Sequence, residues 1–210
     1  PVFSKVQDDI PRLRSVYKQV MQIVLFIITP MMVLLAILAK PLTIFLFTEK
    51  WLPMVPIFQI ICISGVLYPI HLYNLIVLQV KGRSDLFLRL EIIKKIMVTI
   101  VLVITLYFGF YALLWGQLIC SVLALFINTH YAGKMLNYSM FSQLKDITPI
   151  FVFSLLMGSA IYGLHYFLTD ISNFFQLVIC SSLGGILYIA LAWIFKFESI
   201  TEIKNLILKK

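Results

Sequence analysis

Arg89, Glu91, Lys94 and Lys95 fall within the stretch GRSDLFLRLEIIKK at 82–95, and the apolar run IMVTIVLVITLYF follows at once. Cations in such a cluster are the side chains that meet phosphate or carboxylate with charge-assisted hydrogen bonds. At about 100° per residue, Glu91, Lys94 and Lys95 lie at about 200°, 140° and 240° from Arg89. Those three share one helix face, and Arg89 points away from it. Glu91 and Lys95 have the i,i+4 spacing of an ion pair. Two further polar residues, His71 and Asn74, lie in GVLYPIHLYNLIVLQ beside Pro69. Arg89, Glu91, Lys94, Lys95, His71 and Asn74 are therefore the candidate substrate-binding residues.

Each has a plainer reading. Lys94 and Lys95 can snorkel to the interface as positive-inside signals, the role that best suits Lys81 and Arg83. His71 and Asn74 can be hydrogen-bonding glue between helices. Depth argues the other way for the two lysines. A helix from Ser84 to Phe108 has about 25 residues and spans about 37 Å. Only Ile96–Phe108 lies beyond the lysines, about 20 Å, less than the ~30 Å of hydrocarbon. Lys94 and Lys95 should thus reach into the slab, where charges usually face a protein interior or a watery cavity.

Other chemistry is poorly supported. His130 and His165 have no second histidine or carboxylate at ligand spacing, so interface positions suit them better than metal ligation. Cys62, Cys120 and Cys180 lie in apolar runs with no CxxC, which reads as buried apolar packing. No GxSxG, HExxH, GxxxxGK[ST] or paired catalytic carboxylates occur. The expectation is no enzyme, no cofactor and no metal. Ser181, Ser182, Gly184 and Gly185 read as close helix contacts.

The elements that must position these groups are membrane helices. Of the 210 residues, 61% are hydrophobic and 12% charged, with a mean hydropathy of +1.01. A soluble domain carries about twice that charge. The net charge of +8 does not imply nucleic acid, because the basic residues cluster at the ends of apolar runs. The expected fold is all-α, a polytopic membrane helix bundle with about six spans, near 18–39, 56–79, 86–108, 111–131, 149–168 and 173–195. Ser84 is a plausible N-cap after the Gly82 turn, and Gly109 makes a tight turn. KPLTIFLFTEKWLP reads as a short interfacial helix with Trp51 at the headgroups. KMLNYSMFSQLKD (134–146) reads as a surface segment, and 198–210 as an amphipathic tail. Pro30 and Pro69 should bend their spans.

Counting by side, 15 of the 17 lysines and arginines fall on the side holding the N-terminal segment, the 2–3 and 4–5 loops and the tail. Only Lys40 and Lys50 face the other way. That asymmetry places the basic side, and both ends of the chain, in the cytoplasm. The chain opens on Pro1 without a signal-peptide pattern, so further helices, even in number, are expected upstream.

PVFSKVQDD, FTEKWLPMVPIFQ at 47–59 and YPIHLYNLIVLQVKGRSDLFLRLEIIKK at 68–95 resemble the Wzx-type lipopolysaccharide and exopolysaccharide repeat-unit flippases. These belong to the multidrug/oligosaccharidyl-lipid/polysaccharide exporter superfamily. The resemblance covers about the first 130 residues. It implies two bundles of six helices around a central cavity, often with two extra C-terminal helices. Residues 1–132 would be four helices of the second bundle. Residues 133–210 would be a linker, two further spans and the tail. The implied function is flipping of a polyprenyl-diphosphate-linked oligosaccharide across the bacterial inner membrane, for surface polysaccharide such as O-antigen. Lys94 and Lys95, and less directly Arg89, would meet the diphosphate. The implied partners are that lipid-linked oligosaccharide, the bilayer, the missing N-terminal helices and polysaccharide assembly proteins. The competing readings are an ion-coupled multidrug exporter, for which Glu91 is the one candidate carboxylate, and a membrane-embedded glycan polymerase or ligase, which would need larger outer loops.

Overall fold

The computed structural model describes residues 3–168, 171–195 and 197. Among them the regular elements are helices: α1 (Ile10–Ile37), α2 (Ala39–Phe47), α3 (Val55–Val80), α4 (Ser84–Leu106), α5 (Phe110–Leu136), α6 (Met140–Phe167) and α7 (Asn173–Ile194). Short 3-10 turns occupy Phe3–Val6 and Glu49–Met54. The fold is all-α and polytopic, as the apolar runs required. The proposed tail, 198–210, lies outside the described residues.

Among the described residues, five stretches are long and apolar enough to cross a membrane: Ile10–Ile37, Glu49–Val80, Phe110–Leu136, Met140–Phe167 and Asn173–Ile194. The remaining expected span is α4. It has 23 residues but carries Asp85, Arg89, Glu91, Lys94 and Lys95. Its uncharged part, Ile96–Leu106, is about 16 Å long at 1.5 Å per residue. That is shorter still than the expected Ile96–Phe108.

Two helices begin earlier than their hydropathy implied, and capping explains both. The Asp9 carboxylate accepts the backbone N–H of Arg12 at 3.0 Å, the N-cap to N3 bond that satisfies an orphan donor. So α1 starts at Ile10, with Pro11 in a first turn that needs no N–H from it. Ser139 does the same for α6, accepting from Ser142 N at 3.2 Å. The expected surface segment at 134–146 is therefore mostly helix, interrupted only at 137–139. Asn137 closes α5 in the left-handed conformation, φ +49. Arg83, not Ser84, is the N-cap residue of α4, because its carbonyl accepts Phe87 N at 3.0 Å. Gly82 makes the turn before it at φ +67.

The chain divides into two compact units, and α1, α3 and α6 contribute to both. One unit comprises 1–21 and 64–146. Its interior is a buried polar network. The Tyr17 hydroxyl lies 2.9 Å from both Asn74 Oδ1 and Gln143 Oε1, and its single proton serves one acceptor at a time. Asn74 Nδ2 donates to Ile70 O at 2.9 Å and Thr129 Oγ1 at 3.2 Å. The same unit puts much of the basic side to structural use. Arg14 donates to Asn137 O and stacks 4.6 Å over the Tyr138 ring. Lys18 pairs with Asp146 at 3.2 Å, and Lys81 donates to Gln7 O at 2.7 Å. Burial and the adjacent Asp146 carboxylate push the Tyr138 phenol up, so it stays protonated and donates to Asp146.

The other unit comprises 22–63 and 147–210. In it α2 packs on α7, with the rings of Phe45 and Phe174 5.6 Å apart. Small residues make the close contacts. A Cβ on Gly158 would sit 2.6 Å from Val33 Cγ1, and one on Gly184 2.7 Å from Leu34 Cδ2. Gly185 faces open space, so only one glycine of the pair is needed for contact.

Candidate functional site

The site lies within the first unit, on the faces of α3, α4 and α5. Tyr107–Gly109 closes α4 and α5 into a hairpin, with Gly109 at φ +89. The hairpin is tight because residue 116 is glycine: a Cβ there would sit 2.7 Å from Val101 Cγ1 and 2.9 Å from Thr105 Cγ2. Toward the α4 N-terminus the two helices leave a cavity of about 250 Å³. His71 from α3, Glu91, Lys94 and Lys95 from α4, and Gln117, Ser121 and Asn128 from α5 line it.

Lys94 lies about 15 Å along α4 from Ser84 at 1.5 Å per residue. Its ammonium is paired with Glu91. The expected partner of Glu91 was Lys95, but the structure uses the i,i+3 spacing. Both spacings are reachable on a helix surface. Here Lys94 turns into the cavity, its side chain 13% exposed, while Lys95 stays exposed at the rim.

His71 is held from both sides. Its Nε2 lies 3.1 Å from Ser121 Oγ, and its Nδ1 lies 3.3 Å from Asn128 Nδ2. With the Asn128 amide nitrogen placed toward Nδ1, that ring nitrogen accepts and the ring proton is assigned to Nε2, facing Ser121. A nucleophile–base pair needs the opposite polarity, with the ring nitrogen accepting from the hydroxyl. The trio forms a hydrogen-bonded rail between α3 and α5. Asn128 is 1% exposed, and its Oδ1 has no partner among the described residues. A buried amide oxygen left unpaired costs about 1–3 kcal/mol.

Of the six candidate residues, the cavity gathers His71, Glu91, Lys94 and Lys95. Arg89 is exposed and does not line it, in keeping with its opposite helix angle. Asn74 is fully buried, with its amide spent on Tyr17, Ile70 and Thr129, so it joins helices instead of lining the cavity. Arg83 pairs with Asp85 through two 3.0 Å bonds at the exposed start of α4. Gln117, Ser121 and Asn128 were not anticipated. Their signal was present: with Ala124 they step 4, 3 and 4 residues along α5, which is one helix face. Cys120 lines the same face. All three cysteines are buried and unpaired.

A cationic, hydrogen-bonding cavity half-way along α4 suits an anionic ligand group. The family described as polysaccharide biosynthesis protein matches residues 1–56. A membrane protein in the cps region of Klebsiella pneumoniae is 29% identical over 209 residues, covering 98% of this chain and 43% of the relative. The lipopolysaccharide biosynthesis protein WzxC of Escherichia coli (strain K12) is 28% identical over 94 residues, 45% of this chain and 19% of the relative. These matches make the chain similar to membrane proteins of polysaccharide biosynthesis, with the Escherichia coli WzxC among them. The Klebsiella alignment includes α6 and α7. The chain spans less than half the length of these curated relatives. No solved structure matches it.

Proposed function

We propose that the chain forms part of the translocation path of an inner-membrane flippase, which moves a polyprenyl-diphosphate-linked oligosaccharide from the cytoplasmic to the outer leaflet. The observation that carries this reading is Lys94, held inside a polar cavity half-way along α4. A diphosphate entering a low-dielectric space needs compensating charge and hydrogen bonds. Lys94, with Lys95 at the rim and the Gln117–Ser121–Asn128 face opposite, would supply both. Glu91 holds Lys94 while no anion is bound, and the diphosphate would displace it.

Glu91 is also what an ion-coupled drug exporter would need. Its engagement by Lys94 favours the flippase. Both ends of the segment would face the cytoplasm, where the Lys and Arg excess lies. The protein would work by alternating access, beside polysaccharide assembly proteins. The test is Lys94→Gln and Lys95→Gln, singly and together, in the full-length protein, with surface polysaccharide and protein level measured. Export falls while the protein level holds; unchanged export at normal level sinks the assignment.

A further inference from the structure

A second cavity of the first unit lies apart from the α3–α4–α5 site and shares no residue with it. It is a notch of about 610 Å³, against about 250 Å³ for the cavity at Lys94. Ile10, Arg14, Ser15 and Lys18 of α1 form one wall, and Leu136 and Asn137 at the end of α5 form the other. Ile10, Arg14 and Lys18 are four residues apart in turn, which keeps them on one side of the helix.

The level of the notch is readable from α5. Residues 110–133 carry no Asp, Glu, Lys or Arg, and at 1.5 Å per residue they run about 36 Å. That length covers the ~30 Å of hydrocarbon. Lys134 follows, and the notch is lined by the residues just after it. It therefore opens at the level of lipid headgroups, on the side where the Lys and Arg excess lies.

Arg14 is held in place here. Its Nη1 donates to Asn137 O at 3.2 Å, and its guanidinium stacks 4.6 Å over the Tyr138 ring. That ring is buried, and its hydroxyl is tied to Asp146, so the platform under the guanidinium is fixed. A guanidinium has five N–H donors in one plane, and the Asn137 carbonyl takes one of them. Stacking covers a face and leaves the edge, which is the part that meets a phosphate through two parallel bonds. Lys18 stands one turn further along α1, paired with Asp146 at 3.2 Å. Two cations against one carboxylate leave this cluster with one net positive charge.

We propose that the notch is a headgroup site for an anionic phospholipid of the adjoining leaflet, with the phosphate on the Arg14 edge and the glycerol against Ile10 and Leu136. Such a lipid keeps both chains in its own leaflet, so it is a resident ligand of the fold and not cargo. Three observations select the class. A free phosphate would leave the apolar part of the wall unused. One net positive charge favours an anionic headgroup over a zwitterionic one. The notch opens where bilayer phosphates already lie. A lipid seated there joins the start of α1 to the end of α5 and should stabilise both.

The experiment uses the full-length protein in a non-ionic detergent, with dioctanoyl phosphatidylglycerol and dioctanoyl phosphatidylcholine as probes and bound lipid counted by native mass spectrometry. Phosphatidylglycerol should bind about fivefold more tightly, the effect of one net cation at a membrane surface, and raise the melting midpoint. Arg14→Gln brings the two lipids to equal affinity. Arg14 also holds the end of α5, so a second variant separates the two roles. Ser15→Trp fills the notch from an exposed position, keeps both cations, and should abolish the preference as well. A headgroup-diazirine phosphatidylglycerol labels 10–18 or 134–138 in the unmodified protein, whether or not the variants fold. Equal affinity for the two lipids in the unmodified protein, or a preference that survives both variants, overturns the site. Equal labelling of these segments by a diazirine phosphatidylcholine overturns it as general bilayer contact only. Displacement of phosphatidylglycerol by an equal concentration of inorganic phosphate overturns the lipid assignment in favour of a soluble anion. Lys94→Gln leaves the preference intact; its loss in that variant would move the site to the α4–α5 cavity and overturn the notch.

Discussion

Glu91 and Lys94 should respond to neutralisation in opposite directions. The two side chains are an i,i+3 pair, 30% and 13% exposed, so water reaches the carboxylate more than the ammonium. If Lys94 receives an anion, Lys94→Gln removes one charge-assisted hydrogen bond, worth about 1.5–3 kcal/mol. Pyrophosphate affinity then falls about 10- to 150-fold. Glu91→Gln does the reverse. It removes the carboxylate that competes for the ammonium, a hold of about 0.5–1 kcal/mol for a pair this open to water. Affinity then rises about two- to fivefold. The double variant behaves like Lys94→Gln, because the ammonium that Glu91 holds is already gone. The assay is pyrophosphate titration of the full-length protein in nanodiscs, with thermal melts run in parallel. A strut that serves only the fold makes a different pattern: both single variants melt lower and anion affinity tracks the melting loss. If Glu91→Gln weakens pyrophosphate binding as Lys94→Gln does, the exchange of carboxylate for phosphate is refuted.

Three further outcomes follow from the geometry. Tyr17→Phe leaves Asn74 Oδ1 and Gln143 Oε1 without the hydroxyl between them and should cost about 1–3 kcal/mol, read as a lower midpoint in a detergent melt; an unchanged midpoint refutes the network. Gly133→Ala places a Cβ 2.6 Å from the Tyr138 backbone oxygen, which cannot yield as a side chain could. It should destabilise by about 1–3 kcal/mol, whereas Gly185→Ala, facing open space, should be neutral or gain up to about 1 kcal/mol. In protein labelled with ¹⁵N-histidine and carrying His130→Gln and His165→Gln, the His71 signals at neutral pH should show the proton on Nε2. A proton on Nδ1 would reverse the rail and make Ser121 the donor to His71.

Much of this protein is fixed by residue type along the chain. Apolar runs of span length leave no alternative to helices in a bilayer, because backbone polar groups there must bond within the segment. The position of Lys94 half-way along α4 follows from counting residues on either side of it. The helix starts at Asp9 and Ser139 were also legible, since each is a capping residue placed just before a helix. Hydropathy passed over them because it scores polarity and not whether a polar group is satisfied. Gln143 shows why: it is buried and donates to Tyr138 O at 3.0 Å, so a polar residue there supports the helix.

Tertiary structure decided which polar residues meet. Glu91 could reach Lys94 or Lys95, and the rotation of α4 against α5 turned Lys94 inward and left Lys95 at the rim. His71 and Asn74 are three residues apart on α3, yet one lines the cavity and the other is sealed into the Tyr17 network. Gln117, Ser121 and Asn128 share a stripe on α5 that the sequence displays, but the stripe does not name the helix it faces. Periodicity fixes a direction relative to one helix axis. Only packing fixes what stands in that direction.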